Sequence, residues 1–136
     1  MRMPKPRRPR RLILLLPLLA GLAACNGWWH QELSDYPVFF TPGSAALDQT
    51  AQAVIQVAAD YAKAHPRQQV VVTGYADATG STPANLALSD QRAQAVTDQL
   101  VTDGVERGRI RHNAHGATDT LLSGQADRRV DIQIGG

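Results

Sequence analysis

Between Asp48 and His65, apolar residues recur at three- and four-residue spacing. Ala51, Val54, Ile55, Ala58, Tyr61 and Ala62 fall on one side of a helix that Pro66 stops. Ahead of it, Tyr36 to Phe40 is a short apolar stretch closed by Thr41-Pro42-Gly43, a strand followed by a turn. The nearly continuous β-branched run from Gln69 to Tyr75 predicts an inner strand. A second helix is predicted from about Pro83 to Asp103, with Leu88, Val96, Leu100 and Val101 on one side and Gly104 as its stop signal. Ile110 to His115 reads as a third strand, although Arg111, His112 and Asn113 interrupt its apolar character. The strictest alternation comes last: Arg128, Val130, Ile132 and Ile134 share one face, and Arg129, Asp131 and Gln133 the other. Strand, helix, strand, helix, strand, strand (β-α-β-α-β-β) predicts an α/β fold, an α+β sandwich whose helices cover one face of a mixed sheet.

The pattern breaks down before Tyr36. Residues 1–24 read as an export leader, because six basic residues (Arg2, Lys5, Arg7, Arg8, Arg10, Arg11) precede an apolar run, Leu12 to Ala24, that is short for a bilayer span. The run ends in Leu22-Ala23-Ala24-Cys25, which resembles a bacterial lipobox, and Cys25 is the only cysteine. The expected organisation is a leader over 1–24, a lipidated Cys25 opening a tether over 25–35 that carries Trp28-Trp29, and one domain over 36–136. With one cysteine, no disulfide forms within the chain.

Removing the leader changes the charge. It takes 6 of the 14 basic residues and none of the 12 acidic ones, so the remaining 112 residues carry about −4, and the apparent basicity belongs to the leader. Nucleic-acid binding thereby loses its electrostatic basis.

Candidate chemistry is concentrated in Gly74 to Arg92. Asp77 lies in a glycine-bounded loop after the inner strand, and Arg92 follows fifteen positions later, read as near the start of a helix. An acid and a base so placed suit a ligand with both an ammonium and a carboxylate, the guanidinium taking the carboxylate as a bidentate fork. Amide groups of the helix start would favour the same anion.

Several spaced motifs resemble one family in the right order. They are Phe40-x-x-Gly43-Ser44-Ala45-x-Leu47, Val72-x-Gly74-x-x-Asp77-x-x-Gly80-Ser81, Asn85-x-x-Leu88-Ser89-x-x-Arg92-Ala93-x-x-Val96, Leu100-x-x-x-Gly104-Val105, Arg109-Ile110 and Arg128-Arg129-Val130-x-Ile132. Together they are similar to the OmpA-like peptidoglycan-binding domain, as found in peptidoglycan-associated lipoproteins. That resemblance implies non-catalytic binding of peptidoglycan by a lipid-anchored protein of the Gram-negative envelope, with Asp77 and Arg92 holding the diaminopimelate of the wall peptide. It also gives Asn85 a supporting role in the pocket, where its residue type alone suggests a side chain capping backbone. Asn26 rather than an aspartate after Cys25 favours the outer membrane, with the domain on its periplasmic face.

Three further expectations follow. Arg128, in phase with the apolar set, should point to the covered face, need a partner there, and be the third ligand group, whereas Arg129 should not. Asp77 and Arg92 are open to a bland reading as an internal salt bridge, and both should tolerate truncation to alanine without loss of the fold. The chain departs from the family in Tyr75-Ala76 before the aspartate and over residues 114–126, where Ala114-His115-Gly116-Ala117-Thr118-Asp119-Thr120 replaces a usual Gly-x-Gly-Glu-x-x-Pro.

Other functions have less behind them. A nucleophilic site would need Ser89 with His112 or His115, but Ser89 reads as a helix cap. Two histidines three apart on a strand face opposite ways, so no metal or other cofactor is expected. The serious alternative is a protein-interaction module of an envelope complex, of the Tol type or a secretion machine, with envelope proteins as partners and little wall binding.

Overall fold

A computed structural model of the chain describes residues 34–117 and 124–136. The expected leader, Cys25 and Trp28-Trp29 lie outside the described residues, as do residues 118–123 of the altered loop. The elements are β1 (Ser34–Phe39), α1 (Gln49–Ala64), β2 (Gln69–Ala76), α2 (Thr82–Thr102), a 3-10 turn (Arg107–Arg109), β3 (Ile110–Ala117), the short α3 (Gly124–Asp127) and β4 (Arg129–Gly135). The expected order holds, with α3 added in front of the last strand.

Local chemistry sets the helix ends. Asp48 caps α1 by accepting the Ala51 N–H at 2.7 Å, and Ser81 caps α2 by accepting that of Ala84. At the far end of α2, Val105 N–H reaches back to the Leu100 carbonyl across Gly104, whose φ of 103° only glycine adopts at no cost. The α2 cap is therefore Ser81, and Ser89 lies in mid-helix, contrary to the expectation.

The sheet order is β1-β4-β2-β3, with β4 antiparallel to both of its neighbours and β2 parallel to β3. Both helices cover one face. Their inner sides meet Val38, Val70, Val72, Val130, Ile132 and Ile134 in a single core, to which α1 brings Ala51, Ile55, Ala58, Ala59 and Ala62. Alanines at these positions let α1 lie close to the sheet.

The inner side of α2 differs from the expected apolar stripe. Asn85, Ser89 and Arg92 are buried together with Ala93, Val96, Thr97 and Leu100, whereas Leu88 and Val101 are only half-buried at the flanks. Polar groups can occupy that side because backbone groups of the sheet end and of nearby turns are there to meet them. Ser89 Oγ donates to the Leu86 carbonyl and accepts the Gly116 N–H at 3.0 Å. The strand beneath has no room for a side chain: a Cβ on Gly74 would lie 2.0 Å from the Ser89 carbonyl oxygen.

Gly74→Ala should therefore cost about 3 kcal/mol, because backbone rather than a flexible side chain has to yield. Gly108→Ala, where a Cβ meets nothing within 4 Å, should stay within about 0.5 kcal/mol of wild type. Urea unfolding of the two variants checks the contrast, and equal stabilities would contradict the close approach of α2.

Candidate functional site

The candidate residues converge at one end of the sheet, where β2 ends, β4 begins and β1 passes into the Thr41–Ser44 turn. Asp77 follows directly on Ala76, Arg128 directly precedes β4, and Arg92 reaches the same end from α2. Arg92 is the eleventh residue of that 21-residue helix. The helix-start amides expected beside it are therefore more than two turns away.

Arg92 is completely buried. Its Nε donates to the Ser44 carbonyl at 2.8 Å, Nη1 to that of Tyr75 at 3.2 Å and Nη2 to that of Thr41 at 3.2 Å, with Cζ 5.2 Å from the centre of the Phe40 ring. Three of five N–H groups are thereby used, leaving one on each Nη. Burial works against the charge and pulls the pKa down from the usual arginine range, the nearby Asp77 carboxylate opposes that pull, and Arg128 adds to it. The structure corrects the view that this side chain is dispensable for folding. It joins α2 to the end of β2 and to the turn after β1.

Asp77 does not pair with Arg92. Its carboxylate accepts the Thr79 hydroxyl and the Thr79 N–H at 3.2 Å, and forms an ion pair with Arg128 Nη1 at 3.3 Å. The Thr79 hydroxyl is the main cause of a pKa below the ordinary carboxylate value, with smaller help from the Thr79 amide and Arg128 against the cost of burial.

Arg128 is where alternation put it, on the covered side, with the partner that a buried charge requires. Its Nε faces the Phe40 carbonyl at 3.4 Å, and a Cβ on Gly124 would lie 3.2 Å from Nη1. Arg129 faces the other way, donating to Asp131 at 3.0 Å and to the Ala126 carbonyl at 2.6 Å. Asn85 lies on the same side of α2 as Ser89 and Arg92, 6% exposed, and its Oδ1 would be 3.8 Å from a Cβ on Gly80. Among the described residues its side chain has no hydrogen-bond partner.

The sequence reading missed Thr79, which holds Asp77, and the carbonyls of Thr41, Ser44 and Tyr75, which hold Arg92. The only cue was Gly43-Ser44 in the opening motif. Ser89 and the two histidines are not assembled into a site: His112 Nε2 lies 2.8 Å from Asp90, and His115 sits against Tyr75 on the opposite face.

The model of the OmpA family matches residues 39–131, a span that includes every one of these site residues. The chain belongs to the OmpA family. It is 36% identical over 103 residues to the "Probable lipoprotein YiaD" of Escherichia coli, covering 71% of this chain and 47% of that protein. It is 30% identical over 105 residues to the peptidoglycan-associated lipoprotein of Rhizobium meliloti, covering 73% and 60%. The chain thus spans about half the length of these curated relatives. Among solved structures, the peptidoglycan-associated lipoprotein from Burkholderia pseudomallei superposes with a TM-score of 0.67 at 28% identity, covering 73% of this chain and 89% of that one. The OmpA-like architecture expected from the sequence is the one observed.

Arg92→Ala should destabilise the fold by about 3 kcal/mol or more, because it orphans three carbonyls in a buried setting. Asp77→Ala, in a loop, should cost about 1 kcal/mol. Thermal and urea unfolding measure both, and a fully stable Arg92→Ala variant would contradict the stapling role.

Proposed function

We propose that this domain binds peptidoglycan without catalysis, by gripping diaminopimelate of the wall peptide, and that a lipid on Cys25 fixes it to the periplasmic face of the outer membrane. The observation that carries the reading is the Asp77–Arg128 ion pair lying next to the buried Arg92. One carboxylate and two guanidinium groups in one place complement a ligand with an ammonium and carboxylates. Arg128 stands at Asp77 where a ligand ammonium would go. A bound ammonium takes its place, Arg128 turns to a ligand carboxylate, and the two spare N–H groups of Arg92 with the Asn85 amide complete the contact. The names of the relatives, two of them peptidoglycan-associated lipoproteins, support the same ligand and the same anchoring. Residues 1–24 then act as the leader and 25–35 as a short tether that keeps the domain near its membrane.

The domain should co-sediment with diaminopimelate-type peptidoglycan and be competed by free diaminopimelate. Lysine-type wall, lacking the second carboxylate, should compete poorly. Equal binding to both types would overturn the two-arginine assignment. Changing the ligand tests Arg92 where changing the protein would disturb the fold. Asp77→Ala and Arg128→Ala should each lose about 2 to 5 kcal/mol of diaminopimelate affinity, while Arg129→Ala should keep it. Because Asp77 titrates below the ordinary range, affinity should hold from neutral pH down to about pH 4 and fall only beneath it, as the carboxylate is protonated.

The anchor is tested separately. The full-length protein should fractionate with membranes and incorporate labelled palmitate, and Cys25→Ser should lose both properties, since stable anchoring takes more than one acyl chain. An unlabelled, soluble wild-type protein would refute the lipidation of Cys25.

A further inference from the structure

Both helices lie on one face of the sheet, so alternate strand positions turn to the other, where no element among the described residues covers them. At the site end of this open face, four flat side chains form one cross-strand row. Phe39 is paired with Arg129 across β1 and β4, the Arg129 guanidinium lies 4.4 Å from the centre of the Tyr75 ring, and the Tyr75 and His115 rings are 5.3 Å apart. Phe39 is 47% exposed, and His115 is exposed as well.

His115 reaches the row through an irregularity. Gly74 pairs with Ala114 and Tyr75 with Gly116, so His115 is the extra residue of a bulge, a device that re-aims a side chain near functional sites. The neighbouring row holds Asp131 and Thr73, which are paired across β2 and β4. The result is a row of planar side chains, stacked at Arg129 and Tyr75 and exposed at Phe39 and His115, bordered by the Thr73 hydroxyl and by the Asp131 carboxylate that Arg129 holds.

The row lies at the same end of the sheet as the candidate site, on the opposite face. Phe39 precedes Phe40, Arg129 follows Arg128, and Tyr75 stands two residues before Asp77. A single exposed ring needs no explanation, but this row of four lies one turn around the sheet end from the peptide site.

We propose that the row is a subsite for the amino-sugar disaccharide that carries the wall peptide, an inference that rests on the peptidoglycan reading above. Sugar rings present C–H faces that pack on aromatic and guanidinium planes, and their hydroxyl and N-acetyl N–H groups donate to a carboxylate while their oxygens accept from a hydroxyl. In the polymer the diamino acid is a few residues from the sugar. Three extended residues reach about 10 Å, enough to pass from Asp77 around the end of the sheet to Tyr75.

The test is calorimetric titration of the protein with two probes, a diaminopimelate-containing stem peptide and the same peptide bearing its N-acetylglucosaminyl-N-acetylmuramyl disaccharide. The disaccharide form should bind about ten-fold tighter. In the Phe39→Ala, His115→Ala double variant that advantage should vanish while affinity for the bare peptide stays unchanged. Both residues are exposed and outside the core, and an unaltered melting transition verifies the fold. Equal affinities of the two probes for wild type, as expected were the row a protein-docking surface instead, would overturn the proposal and leave the peptide site standing, as would an advantage that survives in the double variant. Failure of both probes to bind would bring down the wall-binding reading, and this proposal with it.

Discussion

Arg92 is the interaction on which the binding end of this domain depends. A guanidinium removed from water is costly unless its N–H groups are met, and here they are met by carbonyls from two separate parts of the chain, Thr41 and Ser44 in the turn after β1 and Tyr75 near the end of β2. The arrangement binds three elements through one side chain. It fixes Phe40, whose carbonyl faces Arg128, and it fixes Tyr75, two residues from Asp77. Asp77 and Arg128, the candidate ligand groups, therefore take their positions from a charge that is itself held by backbone.

A second arginine does comparable work at the other end. Arg109 donates to the carbonyls of Ala62, His65 and Gln68, closing the connection from α1 to β2. The two staples bracket the sheet, and they mark a polarity. Ser34 at the start of β1 is paired with Ile134, which also pairs with Val70 near the start of β2. The chain thus enters at the Arg109 end, while Asp77 and Arg128 lie at the Arg92 end. Strands of six to eight residues separate the two by roughly 20 to 25 Å. Under the proposed anchoring through Cys25, the Asp77–Arg128 end would point away from the membrane.

Much of this was legible from pattern. The spacing in α1, its start near Asp48, Gly104 as a stop and the alternation in β4 depend on neighbours in sequence, and the phase of β4 was enough to separate Arg128 from Arg129. What pattern does not carry is the identity of partners. A stripe rule expects the inner side of a helix to be apolar, so it preferred Leu88 and Val101 over Asn85, Ser89 and Arg92. These polar residues are satisfied by groups distant in the chain, Gly116 N–H and the turn carbonyls, that leave no periodic trace. The pairing of Asp77 with Arg128 rather than Arg92 was hidden for the same reason, since it spans 51 residues. A local signal for the packing of α2 was Gly74, a glycine inside an apolar strand, which marks the close approach of another backbone.

The Asp77–Arg128 ion pair also bears on selectivity. Asp77 and Arg128 are both largely shielded from solvent, with side chains 17% and 18% exposed, so leaving either unpaired would be expensive. On the proposed binding mode, a ligand with an ammonium alone would satisfy Asp77 but strand Arg128, and one with a carboxylate alone would do the reverse. A ligand bearing both groups exchanges one ion pair for two and leaves no charge bare. Discrimination then comes less from added attraction than from the penalty on incomplete ligands. For the same reason the internal pair, although it competes with the ligand, sharpens the requirement that the ligand carry both charges at the right separation.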